Sequence, residues 1–221
     1  MTLRAKVDSA ELAVLEILEH SSSSYGPRTW ANAVQGDATV AFAVDFTTAG
    51  EKLTRKASAD KYVGIKLVPG EMDTERALAA ARLLYRFLKA RDARVLNVAG
   101  NGIYTLARCG ISQHAANVFV TSVIAKVHEH HPLQRVISGG QTGIDLAGAV
   151  AGVCIGVDTQ VLLPRGYIQR NEKKVDAAHS HEAIRAQVLT GAAQCVDLCS
   201  NRATTTAESG PALALSQRPY L

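Results

Sequence analysis

A short apolar strand that passes through two glycines directly into a helix is the feature that most constrains the fold of this chain. Val136 and Ile137 form the apolar run, residues 138–145 read Ser-Gly-Gly-Gln-Thr-Gly-Ile-Asp, and small residues follow at 146–151. A turn of this kind leaves backbone N–H groups unpaired at the helix start, where the helix dipole places partial positive charge. We therefore predict a strand–turn–helix unit whose glycine turn binds phosphate. The alternative is that the glycines only permit a tight turn.

Apolar runs typical of buried strands alternate with helical patterns along most of the chain. We predict strands at residues 39–44, 62–68, 95–98, 135–138 and 159–163, and helices at residues 8–19, 73–90, 112–130 and 181–197. This alternation is typical of a parallel sheet covered by helices. The predicted fold class is therefore α/β, a Rossmann-like three-layer fold with a mainly parallel sheet.

Breaks in these patterns indicate the domain organisation. Residues 1–30 are predicted to form an N-terminal helix and loop, because serines and Gly26-Pro27 follow the first helical pattern. Residues 31–199 form the predicted Rossmann-like domain, and the polar composition of residues 200–221 indicates a flexible C-terminal tail. Thr48 followed by Glu51 predicts a capping box at the start of a helix.

Composition excludes several classes of protein. The net charge is only +4 and no block of Lys and Arg stands out, so nucleic-acid binding is not expected. No apolar stretch is long enough for a membrane span, and four irregularly spaced cysteines indicate a reducing compartment, so we expect a cytoplasmic protein. No metal site is predicted and the sequence identifies no cofactor. Small-residue helix faces at residues 77–81 and 146–151 favour a homo-oligomer.

Four loops follow predicted strands and should meet at one edge of the sheet, where such folds bind ligands. They lie at residues 45–50, 99–104, 138–145 and 164–170. The alternatives to ligand binding are structural roles for the polar residues of these loops. These roles are turn formation by Asn101, core packing of Tyr104, helix capping by Asp45 and a solvated charged loop at Arg165 and Arg170. The predicted ligand-binding residues are Asp45, Thr47, Gly100, Asn101, Gly102, Tyr104, Ser138, Gly139, Gly140, Gln141, Thr142, Gly143, Asp145, Arg165 and Arg170, and Asp145 is also the candidate catalytic residue.

Two of these loops resemble a known superfamily. Residues 138–148 (Ser-Gly-Gly-Gln-Thr-Gly-Ile-Asp-Leu-Ala-Gly) and 97–106 (Asn-Val-Ala-Gly-Asn-Gly-Ile-Tyr-Thr-Leu) resemble the SLOG superfamily of Rossmann-like proteins. That group includes LOG phosphoribohydrolases, DprA-like proteins and molybdenum-cofactor carrier-like proteins. The resemblance is greatest to uncharacterised bacterial and phage members that share Ala-Gly-Asn-Gly-Ile-Tyr-Thr-Leu and Gly-Gly-Gln-Thr-Gly.

The resemblance implies a phosphate-bearing nucleotide or ADP-ribose-type ligand, possibly cyclic, bound across the two loops. LOG enzymes carry a Pro-Gly-Gly-x-Gly-Thr-x-x-Glu motif whose glutamate is catalytic, whereas this chain has Ser138 in place of the proline and only Asp145 as a nearby carboxylate. This difference favours an intracellular sensor or sequestering protein. The alternatives are a phosphoribohydrolase-like N-glycosidase and a molybdopterin-binding carrier.

Overall fold

The computed structural model describes residues 14–200, with the side chains of residues 14–195, and has an α/β architecture built on a six-stranded parallel sheet. The strands are β1 Leu15–Glu19, β2 Ala38–Ala43, β3 Tyr62–Lys66, β4 Val95–Gly100, β5 Arg135–Ser138, β6 Asp158–Leu163, β7 Gln169–Arg170 and β8 Asp176–Ala177. The helices are α1 Tyr25–Gln35, α2 Ala49–Ser58, α3 Thr74–Lys89, α4 Ile103–Ala107, α5 Gln113–His128, α6 Ile144–Cys154 and α7 His181–Ser200. The predicted fold class is confirmed.

The sheet has the strand order β1-β6-β5-β4-β2-β3, and every neighbouring pair runs parallel. From β2 the chain continues outward to β3, then returns to place β4 on the other side of β2. Strand order therefore reverses between β2 and β4, and a crevice is expected at the carboxyl ends of these two strands.

The two faces of the sheet differ in chemistry. Phe42, Leu96 and Val98 belong to the main hydrophobic core, which they form with α3, α5 and α6. Because side chains alternate between faces along a strand, Thr39 and Asn97 point to the opposite face, where Asn97 donates a hydrogen bond to Thr39 at 3.1 Å. The helices α1 and α2 pack together over this second face. The small and polar residues beneath them leave space for a cleft.

Two predictions for the N-terminal region are wrong. Residues 15–19, predicted as helix, form β1 and pair with β6, because Leu15 and Ile17 place alternate apolar side chains on the sheet. Residues 21–27, predicted as a loop, include the start of α1. Pro27 is tolerated there because N–H groups in the first turn of a helix have no intrahelical partner. The boundary predicted at residue 30 falls inside α1.

The other predicted strands and helices agree with the structure to within a few residues, whereas the short elements α4, β7 and β8 were not predicted. Half of the predicted capping box is confirmed, because Thr48 Oγ1 accepts a hydrogen bond from the Glu51 N–H at 3.3 Å. The reciprocal half is wrong, since the Glu51 side chain lines the cleft and its Oε2 atom has no hydrogen-bond partner. Residues 8–13 of the predicted first helix and the predicted tail beyond residue 200 lie outside the described residues. Within residues 14–200, no helix has the length and apolar character needed to cross a membrane.

The loops that follow β4 and β5 are hydrogen-bonded to each other. Gly102 and Gly143 form an isolated antiparallel bridge, in which the Ile103 N–H donates to Thr142 O at 2.9 Å and the Ile144 N–H donates to Asn101 O at 3.2 Å. Gly143 has a φ of 105°, and a Cβ atom there would lie 2.6 Å from Asn101 O. The contact between the two loops therefore requires glycine at this position.

We predict that Gly143→Ala lowers the free energy of unfolding by roughly 2–4 kcal/mol, since the added Cβ collides with backbone and the φ angle is strained. Gly110→Ala is the matched control, because Gly110 also has a positive φ, 74°, but a Cβ there would meet nothing within 4 Å. Its expected loss is about 1 kcal/mol. Urea unfolding at equilibrium measures both, and equal losses would contradict the account of the loop contact.

Candidate functional site

A cleft of about 590 Å³ opens at the carboxyl edge of the sheet, where strand order reverses. Residues of α1 and the first turns of α2 form two of its walls, and residues 97–105 form a third. The diglycine turn, residues 138–145, contributes Gly139, Gln141 and Asp145 to the lining. The β7–β8 hairpin contributes Arg170 and Lys174. The cleft lies at the position where open α/β sheets bind ligands.

The cleft brings together about half of the residues predicted to bind ligand. The predicted residues that line it are Gly100, Asn101, Gly102, Tyr104, Gly139, Gln141, Asp145 and Arg170. Those outside its lining are Asp45, Thr47, Ser138, Gly140, Thr142, Gly143 and Arg165. Arg165 is exposed, and Thr142 lines a separate groove between α5 and α7.

A buried ion pair closes one end of the cleft. Arg28 Nη1 of α1 lies 2.7 Å from Asp145 Oδ2 of α6, and the two side chains are 8% and 10% exposed. A Cβ atom at Gly139 would lie 1.3 Å from that Arg28 nitrogen and 2.2 Å from that Asp145 oxygen. Because Gly139 has no side chain, there is room for the ion pair at this point. Burial raises the pKa of Asp145, and the Arg28 guanidinium limits that rise.

Glu51 is the carboxyl group that sequence reasoning missed as a site residue. It is only 2% exposed, lines the cleft, and its Oε2 atom has no hydrogen-bond partner. Burial, with a smaller contribution from the negative charge of Asp145, raises the pKa of Glu51 to about 8. The available signal was its position, one turn into a helix that follows a buried strand at the ligand-binding edge of the sheet.

Three buried polar atoms on one side of the cleft lack partners. They are Arg28 Nε, Asn32 Oδ1 and Glu51 Oε2, and all three residues line the cleft. Each unpaired buried polar atom destabilises a fold by about 1–3 kcal/mol. All three atoms thus belong to residues that line the same cavity. We call these three residues the floor of the cleft.

Three backbone amides of the diglycine turn are hydrogen-bonded within the protein, so the prediction of unpaired amides is wrong for these three. The N–H of Gly140 donates to Ser138 Oγ at 3.3 Å, and that of Thr142 donates to Gln141 Oε1 at 3.0 Å. The N–H of Gly143 donates to Gln113 Oε1 at 2.6 Å. Two of the acceptors, Ser138 and Gln141, belong to the turn itself, and only Gln113 comes from a distant part of the sequence.

Asn101 and Asp45 hold the backbone where the sheet order reverses. The Asn101 side chain accepts from the N–H groups of Val44 and Asp45 at 2.9 and 3.0 Å, and donates to Asp45 O at 3.0 Å. Asp45 Oδ1 accepts from the N–H and hydroxyl of Thr47, both at 2.7 Å, and these bonds lower the pKa of Asp45. The Asn101 contacts correspond to the turn-formation alternative. The helix-capping alternative for Asp45 is wrong, because Thr48 caps α2.

The outer part of the cleft, which we call its mouth, is cationic and aromatic. Arg170 makes a two-point ion pair with Asp176, at 2.8 and 2.9 Å, and its guanidinium lies 5.1 Å from the Tyr25 ring centroid. Lys174 Nζ lies 5.5 Å from the Tyr104 ring centroid. Positive charge beside aromatic rings suits a ligand that carries both phosphate and a planar base.

Comparison with known families gives a match over the first half of the chain. A family model described as the circularly permutated YpsA SLOG family matches residues 8–122, just over half of the 221-residue chain. The match contains Arg28, Glu51 and the loop after β4, and it ends before the diglycine turn. It confirms the predicted superfamily, whereas the nearer resemblance to bacterial and phage members stays a prediction. The pairing of the first strand β1 with β6 is compatible with a circular permutation. No curated protein matches the chain.

We predict that Asp145→Asn lowers the free energy of unfolding by about 3–5 kcal/mol, because it leaves the Arg28 charge buried without its partner. The control is the double variant Arg28→Met with Asp145→Asn, which removes both charges and should recover part of the loss. Urea unfolding of the wild type, the two single variants Asp145→Asn and Arg28→Met, and the double variant forms a double-mutant cycle. A coupling below about 0.5 kcal/mol would contradict the buried ion pair.

We predict that Glu51→Gln becomes progressively more stable relative to wild type as the pH rises from about 4.5 to about 8. In that range the unfolded chain has released the Glu51 proton and the folded protein has kept it, so wild-type stability falls by up to roughly 1.4 kcal/mol per pH unit. Thermal melts across this range measure the difference. Glu75→Gln, at an exposed position in the first turn of α3, is the control and should show little pH-dependent difference. A constant difference for Glu51→Gln would contradict the raised pKa.

Proposed function

Since the chain belongs to the circularly permutated YpsA SLOG family, we propose that its cleft binds a phosphate-bearing nucleotide or ADP-ribose-type small molecule. We propose further that the protein acts as an intracellular sensor or sequestering protein for that ligand. The observation that carries this proposal is the pairing, in one cleft, of a cationic aromatic mouth with a buried polar floor that has unpartnered atoms.

Each part of the cleft is suited to bind a different group of such a ligand. Arg170 and Lys174 are placed to neutralise phosphate charge, and the rings of Tyr25 and Tyr104 offer stacking surfaces for a base. The floor offers hydrogen bonds to groups that enter more deeply. A volume of about 590 Å³ lies within the range of small-molecule sites.

A second candidate function, hydrolysis of an N-glycosidic bond, is favoured by one observation. Glu51 and Asp145 are carboxyl groups with raised pKa values that line the same cleft, and such pairs can act as acid and base. Incubation of ADP-ribose with the protein, followed by chromatography, separates the two functions. Sequestration predicts that ADP-ribose is recovered unchanged, whereas release of adenine would contradict it and favour hydrolysis.

We predict that the wild type binds ADP-ribose and that Lys174→Gln weakens this binding about tenfold, because a charge-assisted bond to phosphate is worth about 1.5–3 kcal/mol. Lys173→Gln is the matched control, since Lys173 is the preceding residue but lines the groove between α5 and α7 instead. Isothermal titration calorimetry measures both variants, with adenosine as a probe that lacks phosphate.

Adenosine binding should be nearly unaffected by either substitution. Failure of the wild type to bind ADP-ribose would contradict the proposed function. Equal weakening by the two lysine variants would contradict the assignment of phosphate to the mouth of this cleft.

A further inference from the structure

Glu51 lies deep in the cleft, in surroundings that disfavour a negative charge. Its Oε2 atom has no hydrogen-bond partner, and the nearby Arg28 guanidinium is already bound to Asp145. A buried carboxylate without a partner is strongly unfavourable, so a group of this kind retains its proton. A retained proton makes Glu51 a hydrogen-bond donor within the cleft.

Charged groups from several elements act on Glu51. The carboxylates of Asp145 on α6 and Asp45 after β2 disfavour its ionisation, and Arg55 on its own helix favours it. Tyr62 of β3 interacts with Glu51 in turn, since burial raises the pKa of Tyr62 and a negative charge on Glu51 raises it further. Burial is the largest of these influences, and together they raise the pKa of Glu51 to about 8.

The floor offers a mixed set of donors and acceptors. Arg28 Nε and a protonated Glu51 carboxyl are donors, whereas Asn32 Oδ1 is an acceptor. The Asp145 carboxylate adds negative charge at the same end of the cleft. A phosphate group carries acceptor oxygens and negative charge, so Asn32 and Asp145 oppose it there. The edge of a base or a sugar carries both donors and acceptors and fits this set.

We propose that Glu51, as a neutral carboxylic acid, donates a hydrogen bond to an uncharged acceptor of the ligand. The floor then binds the polar edge of the ligand's base or sugar, and the phosphate lies at the mouth beside Arg170 and Lys174. This inference rests on the proposed function, because it assigns orientation to a ligand of that class. It places phosphate away from the diglycine turn, where Gly140, Thr142 and Gly143 have their N–H groups bound within the protein.

The test measures ADP-ribose affinity by calorimetry from about pH 6 to about pH 9.5 at constant ionic strength. ADP-ribose suits this range because its pyrophosphate is esterified at both ends, so each phosphorus has only one, strongly acidic, ionisable group and keeps its charge. Wild-type affinity should be constant at low pH and should fall above about pH 8, by up to tenfold per pH unit, as Glu51 loses its proton.

Two substitutions separate hydrogen bonding from folding. Glu51→Gln keeps a neutral donor, so its affinity should stay within about threefold of the wild type at neutral pH and should not change with pH. Glu51→Met keeps the volume and loses the donor, so it should bind roughly tenfold more weakly at neutral pH. Circular dichroism confirms that each variant is folded.

The outcomes distinguish the inference from the proposed function. If the wild type binds ADP-ribose with the same affinity at every pH, or if Glu51→Met binds as tightly as wild type, the role of Glu51 is overturned and the proposed function stands. If the wild type does not bind ADP-ribose at any pH, the proposed function and the inference are both overturned.

Discussion

The ion pair between Arg28 and Asp145 is the interaction on which the geometry of the cleft depends. It joins α1, over one face of the sheet, to the start of α6, which packs in the core on the other face. The bond passes through space that exists only because Gly139 has no side chain. Because glycine directly follows β5, the ion pair can connect the helices on the two faces of the sheet around its carboxyl edge. Without this connection α1 would lose the contact that positions one wall of the cleft.

The second constraint is the hydrogen-bonded contact between the loops after β4 and β5. It holds the two loops against each other and, with Gln113 and Ser138, takes up N–H groups that would otherwise face solvent or an anion. The diglycine turn therefore acts mainly as a structural element of the site. The unpartnered polar atoms of the cleft lie on α1 and α2, and its mouth carries Lys174 and Arg170, the latter paired with Asp176.

Much of the fold could be predicted from the sequence because most strands are continuous apolar runs between clear turn signals. Residues 15–19 were not, since five residues with mixed periodicity fit a helix or a strand, and only pairing with β6 decides between them. For the site, the glycine loops were predictable from local pattern. Arg28 and Glu51 were not, because Arg28 acquires its role from a partner 117 positions away and Glu51 acquires its role from burial.

The central claim is that one cleft, between α1, α2 and the carboxyl edge of the sheet, binds a nucleotide-type ligand with its phosphate outward. A crystal structure of the protein with ADP-ribose tests this most directly. We expect pyrophosphate oxygens within hydrogen-bond distance of Arg170 or Lys174, and the polar edge of the base or ribose hydrogen-bonded to Glu51 and Asn32. Pyrophosphate bound on the backbone of Gly139 and Gly140, or a ligand in the groove between α5 and α7, would contradict it.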